Sequence, residues 1–244
     1  MQEEFELTAS AHDRLGSFVP LAATGTSLLN NSIASIGRDH FVVAALIIAM
    51  QKASTLAFLS YVRKHVAQAE FNCRQLIEFC ALAAYLLANP AIELGNPRGD
   101  SSLALSNAKA LSGKAYKWLN QHHPQHSKNL LEFKGIINDT TAHASIYSSY
   151  FTFSWDGENP TDCFDGTFFD IVDDDTIRMY LTSLARLILV VIDTLSVAAT
   201  SHNGVTFSED LNQTLAKFER DVNAHRDAVG KKMSIKKSPT DNAP

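Results

Sequence analysis

Arg74 and Glu78 stand four residues apart near the start of the run FNCRQLIEFCALAAYLLA (71–88). A guanidinium and a carboxylate one helical turn apart share a helix face, and Tyr85 follows on the same side, three turns beyond Arg74. From Phe79 to Ala88 the Tyr85 hydroxyl is the one polar group. A helix that is apolar all round is buried, so the pair is expected at or near the core. Buried charges need partners. Arg before Glu is the less favourable i,i+4 order, which points to pairing with another helix, through His143 or Tyr147. Two readings stay open. One is a buried polar network that fixes helix register; the other is a binding or catalytic role.

Asp139, His143 and Tyr147 repeat the spacing at i, i+4 and i+8. A carboxylate that orients an imidazole is a general-base arrangement, and a hydrogen-bonded core histidine is its bland counterpart. A carboxylate-bridged metal centre uses Glu-x-x-His motifs, and none is present. His122, His123 and His126 form HHPQH without a cysteine or acid at ligand spacing, so they read as a solvated loop. No metal and no cofactor are expected. The chain has no Gly-rich phosphate loop, nucleophile elbow, CxxC or HExxH. Arg220, Asp221 and His225 form the last constellation: Arg, a polar residue, then His five residues on.

The elements that must position these groups are helices. Phe41–Met50 is uninterrupted apolar sequence, and Asp39 precedes it as a plausible cap for a helix over about 40–65. Within it Ala45, Ala49, Ala53 and Ala57 form a row that lets another helix approach closely. The next helix spans about 67–88 and stops at Asn89-Pro90. Residues 89–101 read as a loop, followed by a helix over about 102–122 and one or two more over about 126–147. Two aromatic, β-prone stretches flank DGENPTD (156–162) and predict a small hairpin near 148–172. Asp173 to Asp175 then start a long helix to about 200. A last helix starts at Ser208 and ends near Gly230. The expected fold is all-α, a bundle of six to eight helices forming one domain over 1–229, with a disordered basic tail at 230–244.

Composition narrows the function classes. The 244 residues are 45% hydrophobic and 19% charged, which suits a globular chain. The net charge is −5, yet eight acids and no Lys or Arg lie between Asp156 and Asp175, so the acidity belongs to that segment. It lacks the calcium-loop pattern and reads as a solvated loop with a helix cap. Cys73 and Cys80 would lie about 10.5 Å apart along one helix, too far to bridge. Unpaired thiols and the acidic start MQEEFEL fit a cytoplasmic protein without a signal peptide. Phe41–Met50 and Leu187–Ala199 fall short of the roughly 20 apolar residues of a span, so both read as core helices and no membrane association is expected.

The stretch over about 42–88, with Arg74-Gln-Leu-Ile-Glu78 followed by apolar residues, resembles a group of uncharacterised bacterial all-helical proteins. Such proteins often carry a histidine on a later helix, which His143 would match. That group is similar in turn to the HEPN superfamily of helical bundles. The resemblance implies a homodimer and an RNA or protein partner. HEPN ribonucleases use Arg, a polar residue and His. Arg220, Asp221 and His225 match that pattern, whereas Asn138 stands where the Arg would be in the alternative ending at His143. The leading expectation is a HEPN-like binding or regulatory protein, in stress or phage defence. A metal-independent RNase using Arg220 and His225 is one alternative. A small-molecule pocket protein using Arg74, Glu78 and His143 is the other.

Overall fold

The computed structural model describes residues 2–90, 92, 101–142, 153–154, 165–166, 168–200 and 204–236. Among them it is an all-α bundle with two small β ribbons. The N-terminal segment breaks into α1 (Gln2–Ala9), α2 (Ala11–Leu15) and α3 (Phe18–Asn31), which brings the α-helices among the described residues to nine. The break after α2 falls at Gly16, whose φ of 61° suits a residue without a Cβ. Pro20 sits in the first turn of α3, where no intrahelical N–H bond is lost.

α4 (Phe41–Val62) and α5 (Val66–Ala88) form a tight helical hairpin, followed by α6 (Ser101–His122) and α7 (Pro124–Ile137). The α7 backbone then loosens into a π-helical turn, Asn138–Ala142. α8 (Asp174–Ala199) is the central helix, touching α3, α4, α5, α7 and the final helix α9 (Leu211–Lys236). Its apolar residues recur at helical spacing, and Ile177, Leu181, Leu184, Ile188, Val191 and Leu195 are all buried. Of the alanine row on α4, Ala53 and Ala57 are buried while Ala45 is exposed.

The hairpin expected near 148–172 is present as β2 (Phe153–Ser154) antiparallel to β3 (Asp165–Gly166). A second ribbon was not expected: β1 (Ile33–Ile36) pairs antiparallel with β4 (Val205–Phe207). It pins the end of α3 to the connection between α8 and α9. Gly37 N–H donates to the Gly204 carbonyl at 2.9 Å. A Cβ on Gly204 would come within 2.4 Å of His40 Nε2.

α9 runs past Gly230 to Lys236, so the tail expected from residue 230 starts as helix. Gly230 does not adopt the left-handed conformation that ends helices, and the residues after it are ordinary helix formers. Residues 237–244 lie outside the described residues.

The described end of the acidic segment serves as scaffold. Asp173 Oδ1 accepts from Thr176 N–H at 2.7 Å and caps α8. Asp170 Oδ2 accepts from Val66 N–H at 2.5 Å and caps α5. Asp174 bridges Arg14 at 2.7 Å and Lys64 at 3.4 Å. Lys64, at the α4–α5 corner, has a positive φ of 61°. Its ammonium donates to the Val172 carbonyl and its own carbonyl accepts from Asp170 N–H.

Candidate functional site

The charged groups of α5 extend one step further than Arg74 and Glu78. Glu70 precedes them at the same spacing, so Glu70, Arg74 and Glu78 form a ladder of alternating sign on one helix face. That face meets α6, α7 and the π turn. Glu70 is 2% exposed and accepts from the Thr140 hydroxyl at 2.8 Å. Thr140 belongs to the π turn, a form that recurs at functional sites.

Glu78 is half-buried. Lys134 Nζ on α7 lies 2.5 Å from its Oε1, and the Ser112 hydroxyl on α6 donates to its Oε2 at 3.3 Å. The same ammonium stands 4.5 Å from the centroid of the Tyr116 ring, a cation–π contact. Burial and the Glu78 carboxylate together push the Tyr116 phenol well above its ordinary range, opposed in part by the Arg74 charge.

Arg74 is also half-buried, but among the described residues it makes no hydrogen bond or ion pair. Two buried polar atoms along the same junction are likewise without an aligned partner: the Tyr116 hydroxyl and Asn138 Oδ1, at the head of the π turn. The Glu78 carboxylate lies within reach of the Tyr116 hydroxyl and acts on it by hydrogen bonding as well as by charge, although the two are poorly aligned, and the Arg74 charge opposes it. Unsatisfied buried polar atoms call for a water, an ion or a ligand. Among the described residues, the seam therefore holds a paired carboxylate at each end and a guanidinium without a partner between them.

The other expected members fall differently. The partner found for Glu78 is Lys134; His143 and Tyr147, expected in that role, lie outside the described residues. Asp139 is exposed, and the i,i+4 stacking of an α-helix does not carry through a π turn, where bonds run i to i+5. Tyr85 leaves the ladder and lies against Trp118, ring centroids 6.2 Å apart. Glu70, Ser112, Tyr116, Lys134 and Thr140 were missed. Glu70 had a signal, being one further turn on the same stripe.

Arg220 and Asp221 are exposed on α9. His225 is turned toward α3. Its Nδ1 lies 2.7 Å from the Asp221 carbonyl and its Nε2 lies 3.0 Å from Ser17 Oγ. Its ring meets Phe18 edge-on at 4.9 Å. A neutral imidazole donates from one nitrogen and accepts at the other, so both nitrogens are engaged. Arg220 lies about 140° around the helix from His225.

The cysteines of α5 are structural. Burial pushes the thiols of Cys73 and Cys80 up to about 12. Both are free, and Cys73 Sγ lies 3.8 Å from the Tyr61 hydroxyl. Of the HHPQH histidines, His126 Nε2 contacts Asp193 Oδ2 at 2.9 Å. Burial and the neighbouring His126 and His122 lower the pKa of His123. No group of three or more His, Cys, Asp or Glu among the described residues is arranged to hold a metal. Compared with protein families, curated proteins and solved structures, the chain matches none of them.

Proposed function

We propose that the protein is a helical binding or regulatory module whose recognition point is Arg74. The observation that carries this reading is a half-buried guanidinium with no partner among the described residues, set in a seam where Asn138 Oδ1 is buried without a hydrogen bond and the Tyr116 hydroxyl is poorly aligned with Glu78. A free guanidinium matches a carboxylate or phosphate by a two-point hydrogen bond, and the Tyr116 hydroxyl supplies a neutral donor nearby. The ligand class is a small molecule with one anionic head. Inorganic phosphate and a nucleoside monophosphate are the probes, read as a rise in melting temperature with concentration. Arg74→Gln should abolish the rise and leave the ligand-free melting temperature nearly unchanged. Equal shifts in wild type and variant end the reading.

The RNase alternative on Arg220 and His225 draws less support, because both His225 nitrogens are engaged within the fold. Cleavage of single-stranded RNA in EDTA, lost in His225→Ala, would replace the binding module with a nuclease. The HEPN likeness and a role in stress or phage defence remain proposals on the same footing; a neighbouring antitoxin gene would favour them. The free, buried thiols support a cytoplasmic location.

The second proposal is a homodimer through α4. The exposed residues Phe41, Ala45, Ile48, Lys52 and Thr55 repeat at alternating steps of four and three, the spacing of a two-helix seam. Phe41 is 65% and Ile48 64% exposed. α4 is long and apolar enough to cross a membrane by composition, and only 33% of its apolar window is buried, against 61% for α8. Light scattering at micromolar concentration should give a dimer, and Ile48→Glu a monomer. A monomeric wild type, or wild type that co-sediments with lipid vesicles through this face, refutes the pairing.

A further inference from the structure

α7, α8 and α9 leave a groove of about 420 Å³ between them. Its floor is apolar, made by Leu189 and Val190 of α8 and Leu215 and Val222 of α9. Its walls are polar: Asn129, Arg186, Asp193, Asn212, Glu219 and Asn223. The α8 members share one face at i, i+3, i+4 and i+7. Phe218 and Val222 of α9 pack on Ala185 and seal the base.

The charges are placed in order. Arg186 and Asp193 are seven residues apart, about 10.5 Å along α8. The Arg186 guanidinium stands 5.7 Å over the Phe133 ring. Neither Arg186 nor Glu219, on the α9 wall, has an ion-pair partner among the described residues. Asp193 is contacted by His126, yet its side chain stays 60% exposed and keeps accepting capacity toward the groove. The groove thus carries two carboxylates, Asp193 at one end and Glu219 on the facing wall, a guanidinium one span from Asp193 and an apolar floor between.

An extended peptide rises about 3.3 Å per residue and returns a side chain to the same face every second residue, so residues 1, 3 and 5 face the groove with their end charges about 13 Å apart, a span that the long Arg186 side chain can meet. Each asparagine amide offers a donor and an acceptor, the pair of groups that a peptide unit presents. Three such amides line a groove whose two carboxylates disfavour a phosphate backbone. The geometry points to a docking site for an extended peptide segment of a partner protein. A basic side chain lies against Asp193, an aliphatic one on the Leu189–Leu215 floor and an acidic one against Arg186. The asparagines read the main chain.

The test uses the full chain and a fluorescent pentapeptide, Lys-Ala-Leu-Ala-Glu, with Gln-Ala-Leu-Ala-Gln as its neutral counterpart, followed by fluorescence polarisation. The charged peptide should bind wild type at least tenfold more tightly than the neutral one. Asp193→Asn and Arg186→Gln should each remove most of that advantage, and the doubly altered protein should bind the two peptides alike. These surface substitutions leave the helical circular dichroism unchanged, which separates lost binding from lost folding. Absence of saturable binding up to about 1 mM, or equal binding by wild type and both variants, overturns the proposal.

Discussion

Lys134→Met tests the α5 seam directly. Lys134 Nζ stands 2.5 Å from Glu78 Oε1, with side chains 22% and 26% exposed. Exposed ion pairs contribute about 0.2–1 kcal/mol, whereas removing one partner of a fully buried pair costs about 3–5 kcal/mol. This pair lies between those limits. Loss of the cation over the Tyr116 ring adds about 0.5–1 kcal/mol. Ser112 still donates to the freed carboxylate, and Arg74, with no partner among the described residues, stands one turn away. The balance is a loss of about 2 kcal/mol, or about 4–8 °C in melting temperature for a chain of this size. Arg74→Met strands no carboxylate and should cost less than about 1 kcal/mol. Urea melts of Lys134→Met, Glu78→Gln and the double variant should give a coupling of about 1–2 kcal/mol. A coupling below about 0.3 kcal/mol, or an Arg74→Met variant less stable than Lys134→Met, would refute the pairing argued for this seam.

Cys73 and Cys80 should resist iodoacetamide at pH 8 in the native protein and react once it is unfolded in urea, because their thiols are buried and pushed up to about 12. Mass spectrometry reads the outcome, and rapid native labelling of either site would contradict the packing of α5. Asp173→Ala removes the acceptor for Thr176 N–H and should lower stability by about 1 kcal/mol, with Asp173→Asn or Asp173→Ser restoring most of it. A Cβ on Gly25 already comes within 3.0 Å of Phe218 Cζ. Gly25→Leu should therefore destabilise by about 2 kcal/mol or more through overpacking between α3 and α9. An unchanged denaturation midpoint would mean that α9 does not seat on α3 as described.

The long helices were legible because each carries its own local signal. α4 and α5 are apolar runs with a break between them, and α8 begins at Asp173, whose side chain performs the cap its position suggested. The hairpin near 148–172 was legible from aromatic stretches around a turn-rich segment. The β1–β4 ribbon was not: strands as short as Ile33–Ile36 and Val205–Phe207 carry no readable alternation, and their pairing joins distant parts of the chain. The site divided in the same way. Arg74 and Glu78 stood out by spacing, but Lys134, Ser112 and Tyr116 reach Glu78 only through the packing of α6 and α7 on α5. That packing sets contacts no helical period encodes. His225 could be placed on a helix from its neighbours; that it turns toward Ser17 and Phe18 depends on how α9 crosses α3.

The π turn at Asn138–Ala142 makes the seam sensitive to chain length in a way that its side chains do not reveal. A π turn holds one residue more than the α turn it replaces. Removing a single residue there would let the backbone pass through this turn as ordinary helix, shifting Thr140 relative to α5. Thr140 would leave Glu70 without any change of residue type. An insertion or deletion at this point therefore acts locally, altering which side chain of the turn the buried Glu70 meets while the flanking helix keeps its place.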